Sequence, residues 1–141
     1  MAIIAGLTNS FKEELLRAIH DFGGADTIKL ALYLSTANLG PDTTAYTATG
    51  ETSGTGYSAG GVAITGGAIA RAGGVAYWDA TDPSWPGASF SARAGLLYNS
   101  SKDNRSIMVL DFGQTRTFTA SSNTVILPDD NYLSAIIRIG N

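Results

Sequence analysis

Beyond residue 27 this chain offers no helical period, and that absence constrains its fold more than any other feature. Parallel strands need long crossover connections, usually helices, so a chain without them must pair its strands antiparallel. Ile28, Leu30 and Leu32 alternate with Lys29, Ala31 and Tyr33, the pattern of a strand with one apolar face. Further strands are predicted at 62–64, 75–78, 89–98, 107–112, 115–119, 124–127 and 133–139. In the last of these Leu133, Ala135, Ile137 and Ile139 share a face. The runs on either side of the polar turn 99–106 make the strongest hairpin. Strands at this spacing predict a mainly β fold, an antiparallel jelly roll or β-sandwich, in which two sheets bury their apolar faces against each other.

One helix precedes the strands. Phe11, Leu15, Ile19 and Phe22 recur at helical spacing, while Lys12, Glu13, Arg17 and Asp21 occupy the opposite face. Ser10 with Glu13 matches a capping box and Gly23-Gly24 supplies a stop, which predicts a helix over 10–22. Residues 1–7 are apolar without helical period and read as an extended arm or edge strand. No linker or internal repeat interrupts residues 1–141, which are expected to form a single domain.

Composition narrows the function. Charged residues make up only 15% of the chain and 17 glycines help fill the gap, so its surfaces are weakly polar and cheap to dehydrate. Such a chain suits life packed against neighbours. The net charge of −3 and the scattered basic residues argue against nucleic acid, whose phosphates demand clustered Lys and Arg. Without cysteine there are no disulfides, thiolate metal sites or Cys nucleophiles. No basic segment precedes the apolar start and no run approaches a membrane span, so the protein is expected to be made in a cytoplasm and to stay soluble.

Catalytic signals are weak. His20 is the lone histidine and is expected half exposed near the end of the helix, without a nucleophile or orienting acid in its motif. The run from Gly54 to Gly60 superficially resembles a nucleotide loop, but no strand-to-helix context aims a dipole at phosphate; it reads as a mobile or conformationally demanding surface loop within the long stretch 35–61. Glu51, Asp79, Asp82 and Asp111 are the acids a β-fold glycan hydrolase would need. Asp79 and Asp82, and likewise Asp129, Asp130 and Asn131, read better as turn-shaping residues than as calcium ligands. No catalytic residue, metal ligand or cofactor is therefore expected. Asn99 and Asn104 match the glycosylation pattern, a match expected to be accidental.

Aromatic residues carry more. Trp85, beside Pro86, lies in the proline-bounded loop 79–87, and Tyr46 and Tyr57 lie in the long loop. Exposed aromatics there would stack on sugars or anchor a protein interface; Trp85 could equally plug one end of the sandwich. Trp78, at a strand end, reads as core. Ile3, Ile4 and Leu7 of the arm could add a strand to a partner's sheet edge or pack on their own sheet.

Three stretches carry a resemblance: Thr8-Asn-Ser-Phe-Lys-Glu-Glu-Leu-Leu followed by Asp26-Thr-Ile-Lys-Leu-Ala-Leu-Tyr; Gly50-Glu-Thr-Ser-Gly-Thr-Gly-Tyr-Ser-Ala-Gly-Gly with the loop from Trp78 to Trp85; and Ala94-Gly-Leu-Leu-Tyr-Asn-Ser-Ser-Lys-Asp-Asn-Arg. Together they are similar to the jelly-roll cement, or decoration, proteins on tailed-phage capsids. The resemblance implies a virion protein on the outer capsid surface that staples neighbouring major capsid protein subunits as a homodimer. A sugar- or receptor-binding domain and a neck or tail component are the alternatives.

Overall fold

A computed structural model describes residues 2–128 and 135–140. Their strands form two antiparallel sheets. The larger has the order β1 (Gly6–Leu7), β7 (Arg105–Phe118), β6 (Phe90–Asn99), β2 (Ile28–Tyr33), β3 (Val62–Ala63); the smaller has β4 (Ala68–Ala72), β5 (Val75–Asp79), β8 (Ile137–Ile139). Both contribute to one core, in which Leu30, Leu32, Leu97 and Ile107 of the large sheet meet Trp78 and Ile137 of the small one. This is the mainly β, two-sheet sandwich that the alternating runs predict.

The large sheet is covered on both faces, which the alternation did not convey. Ala31, Tyr33, Ala94, Leu96 and Val109 form a second apolar cluster on its far side, closed by Ala37 and Leu39 from the long loop. β2 is therefore buried along almost its whole length, with Lys29 only half buried, and does not carry one wet face. The loop itself is tightly held. Its glycines make this possible: Gly61 has φ +77 and lies so close to β2 that a Cβ there would overlap the Leu30 carbonyl oxygen at 1.8 Å.

Several strand boundaries differ from expectation. The runs 107–112 and 115–119 are one strand, β7; between Ala92 and Ala94 its register with β6 shifts, and Gly113 at φ +79 absorbs the irregularity. β4 was not anticipated. It pairs with β5 through the two-residue link Gly73-Gly74, both at positive φ as a type I′ turn requires. Residues 124–127 are not a strand. Thr124 makes a single bridge to Ser84, and Val125 and Leu127 turn inward because the Leu127 N–H donates to Asp82 Oδ1 at 2.8 Å. Leu133, Met1 and the expected turn Asp129-Asp130-Asn131 lie outside the described residues, and Ile139 is exposed although Ala135 and Ile137 are buried.

The helix is shorter than predicted: α1 spans Asn9–Leu16. Its N-cap is Thr8, whose hydroxyl bonds Ser106 at 2.9 Å and not the helix, so the Ser10/Glu13 capping box is absent and Ser10 sits inside the first turn. The end is a Schellman motif. Ala18 adopts φ 58, its N–H donates to the Leu15 carbonyl, and the Ile19 N–H donates to that of Glu14. A left-handed alanine stops the chain before Gly23-Gly24, and residues 19–26 then fold back over the sheets.

Candidate functional site

Most residues expected at an interface serve the fold itself. Trp85 is 1% exposed and packs edge-on against Phe118 and Phe90, so it is the plug and not an anchor. The arm packs on its own sheet: Gly6 and Leu7 pair with Val109 and Met108, Ile3 bridges Leu39, and the Ile4 N–H donates to the Leu39 carbonyl at 2.9 Å. Ile3 and Leu7 are half buried there, whereas Ile4 and Pro86 are exposed.

Tyr46 and Tyr57 are not free platforms. Their hydroxyls donate to the two oxygens of Glu51 at 2.8 and 2.6 Å, the Gly60 N–H donates to the same carboxyl at 2.7 Å, and Tyr46 stacks on Tyr98. Tyr57 also accepts the Leu32 N–H, and Tyr98 donates to the Gly60 carbonyl. Burial first, then the Glu51 carboxyl, pushes the Tyr46 phenol up to about 12 and that of Tyr57 higher still. The cluster staples the long loop to the sheet, with both Glu51 oxygens accepting hydrogen bonds.

The other acids are also engaged. Asp79 is a buried residue at the end of β5. Asp111 faces Arg93 at 2.9 Å; that guanidinium and the Gly113 N–H hold its carboxyl below the usual range.

His20 departs furthest from expectation. It is only 7% exposed and joins a buried polar chain. Its Nε2 lies 2.7 Å from Glu14 Oε2 and its Nδ1 lies 3.0 Å from Asn99 Nδ2. Asn99 also donates to Asp26 at 2.7 Å, and Arg105 closes the far end on Glu14 at 3.0 Å. Burial raises the Asp26 carboxyl, but the Asp21 N–H, Asn99 and Lys102 outweigh it and leave it below the usual range. Asn99 is thus a fully buried structural residue despite its glycosylation match.

One surface feature on the small sheet is apolar. In the small sheet Ile69, Trp78 and Ile137 lie opposite one another, and Ala76 with Ile139 continues the same face. Leu15 and Phe22 cover that face only in part and leave an open groove of about 130 Å³. Ile69 and Ile139 are each 59% exposed at its rim, and Leu16, ending α1, is 91% exposed. Single exposed aliphatics are ordinary, but a cluster around a groove on a fold this short of charge is not. Comparison with protein families, curated proteins and solved structures returns no match. Sequence reasoning missed this face because β4 hides as Ala-Ile-Ala-Arg-Ala between glycine pairs. The doublet Gly73-Gly74 between two apolar runs was the available signal.

Proposed function

We propose that this chain is a non-catalytic structural protein that attaches to another protein through the apolar face of its small sheet. The observation that carries the reading is the exposed pair Ile69 and Ile139 at the rim of the groove beside Leu15 and Phe22. Interface cores are depleted of charge and favour such surfaces. The partner follows from the sequence resemblance: the outside of a tailed-phage shell, where the protein, a jelly roll acting as a homodimer, cements neighbouring major capsid protein subunits. Contacts to several subunits at once would add avidity, and preference for the assembled lattice would stabilise the intact shell.

The test is co-sedimentation of the purified protein with shells of the corresponding major capsid protein. Fully burying an isoleucine is worth about 1.5–3 kcal/mol, and each rim isoleucine still has 59% of its surface to bury. The pair Ile69→Ser and Ile139→Ser should therefore weaken attachment by about 2–3 kcal/mol, on the order of a hundredfold, with the thermal midpoint almost unchanged. Unaltered binding by the double variant would defeat the face. Failure of the wild type to bind any shell, or saturable binding to a glycan array, would defeat the cement reading, and six or twelve copies per particle would move the protein to the neck or tail.

A further inference from the structure

The buried polar chain does more than fill space between α1 and the sheet. Its hydrogen-bond directions are fixed from one end. The Ser101 N–H donates to Asn99 Oδ1 at 3.0 Å, which orients that amide and commits Asn99 Nδ2 to donate both to Asp26 Oδ2 and to His20 Nδ1. Nδ1 must therefore present a lone pair. The ring proton belongs on Nε2, where it is donated to Glu14 Oε2.

Charge bookkeeping gives the same answer. The groups facing His20 are Glu14 from α1, Asp26 from the returning segment, Arg105 from β7 and Lys102 from the β6–β7 turn, whose ammonium lies 3.7 Å from Asp26. Two carboxylates are already balanced by two cations. The imidazole side chain is fully buried between the rings of Phe11 and Phe22, at centroid distances of 5.1 and 6.1 Å. A second ring proton would put two donors face to face at Nδ1 and leave an uncompensated charge among aromatic rings. Glu14 accepts from both Nε2 and the Arg105 guanidinium, one on each oxygen.

We propose that this chain is an acid-sensitive latch: protonation of His20 at Nδ1 breaks the Asn99 contact and releases the returning segment 17–26 from the sheets. Phe22 rides on that segment. It rests on Trp78 at 4.9 Å and separates the apolar groove from a second one lined by Gly24, Ile28 and Ile64. Opening the latch uncovers Trp78 and merges the two. The inference stands whether or not the face meets a shell subunit.

Two measurements on the intact protein test it. Ring-nitrogen NMR at about pH 7.5 should find His20 as the Nε2–H tautomer with a bare Nδ1. Amide exchange of residues 18–26, normalised to intrinsic rates, should then rise about ten- to a hundredfold between about pH 7.5 and about pH 5, and the rise should vanish in His20→Gln. An Nδ1–H tautomer or an imidazolium at the higher pH would overturn the proposal even if His20→Gln fails to fold. So would exchange that ignores pH, or the same acid response in the variant.

Discussion

Gly60 and Gly61 offer a controlled test of how the long loop is held. Both have left-handed backbones, at φ +90 and +77, so an alanine at either position meets the same conformational penalty of about 1–2 kcal/mol. Their surroundings differ. A Cβ on residue 60 would meet only the tips of Tyr98 and Lys29 at 3.2 and 3.3 Å, which need give only a few tenths of an ångström; on residue 61 it would fall 1.8 Å from the Leu30 carbonyl oxygen and 2.7 Å from the Ala31 Cα. Backbone in a central strand cannot yield, so in Gly61→Ala the loop must lift. That strains the Tyr98–Gly60 and Gly60–Glu51 hydrogen bonds, at about 1 kcal/mol each, and opens the cluster around Ala37 and Leu39. Gly60→Ala should cost about 1–2 kcal/mol and Gly61→Ala about 4 kcal/mol or more, a large part of the stability of a domain this size. Urea unfolding followed by tryptophan fluorescence reads both. Equal midpoints would refute the claim that close approach, and not backbone conformation alone, makes Gly61 obligatory.

Two further outcomes are expected. Ala18→Gly should stabilise the protein by about 0.5–1 kcal/mol, because glycine occupies the left-handed Schellman position without strain; a lower urea midpoint would contradict that helix end. Arg93→Ala should raise the Asp111 carboxyl toward its ordinary range in a carbon-13 titration. The folded value lies below the unfolded one, so the pair's stabilisation is present above the ordinary carboxylate range and is lost as pH falls through the folded value; the variant should lose less on acidification, and an unchanged titration would show the Arg93 contact to be idle.

The sheet class was legible because period-two alternation reports strands directly: β2 and β6 lie within a residue of where the apolar runs put them. Alternation does not report what covers the second face, so the layer formed by Ala37, Leu39 and Tyr46 was invisible and β2 read as half wet. The helix was overextended for a different reason. Ile19 and Phe22 keep helical spacing but reach the core from a returning segment, after a stop made by an alanine with no propensity for it. Aromatics in glycine-rich loops looked exposed because sequence proximity cannot show Glu51 capturing two tyrosines, nor Trp85 folding onto Phe118. The polar chain through His20 joins residues from four separate segments, and no local motif announces it.

A reconstruction of the shell with the protein bound tests the central claim most directly. Ile69 and Ile139 should be seated on a capsid subunit, with Ile4 and Pro86 contributing little. Density that places the small sheet in solvent, with attachment through the far side of the large sheet, would contradict it.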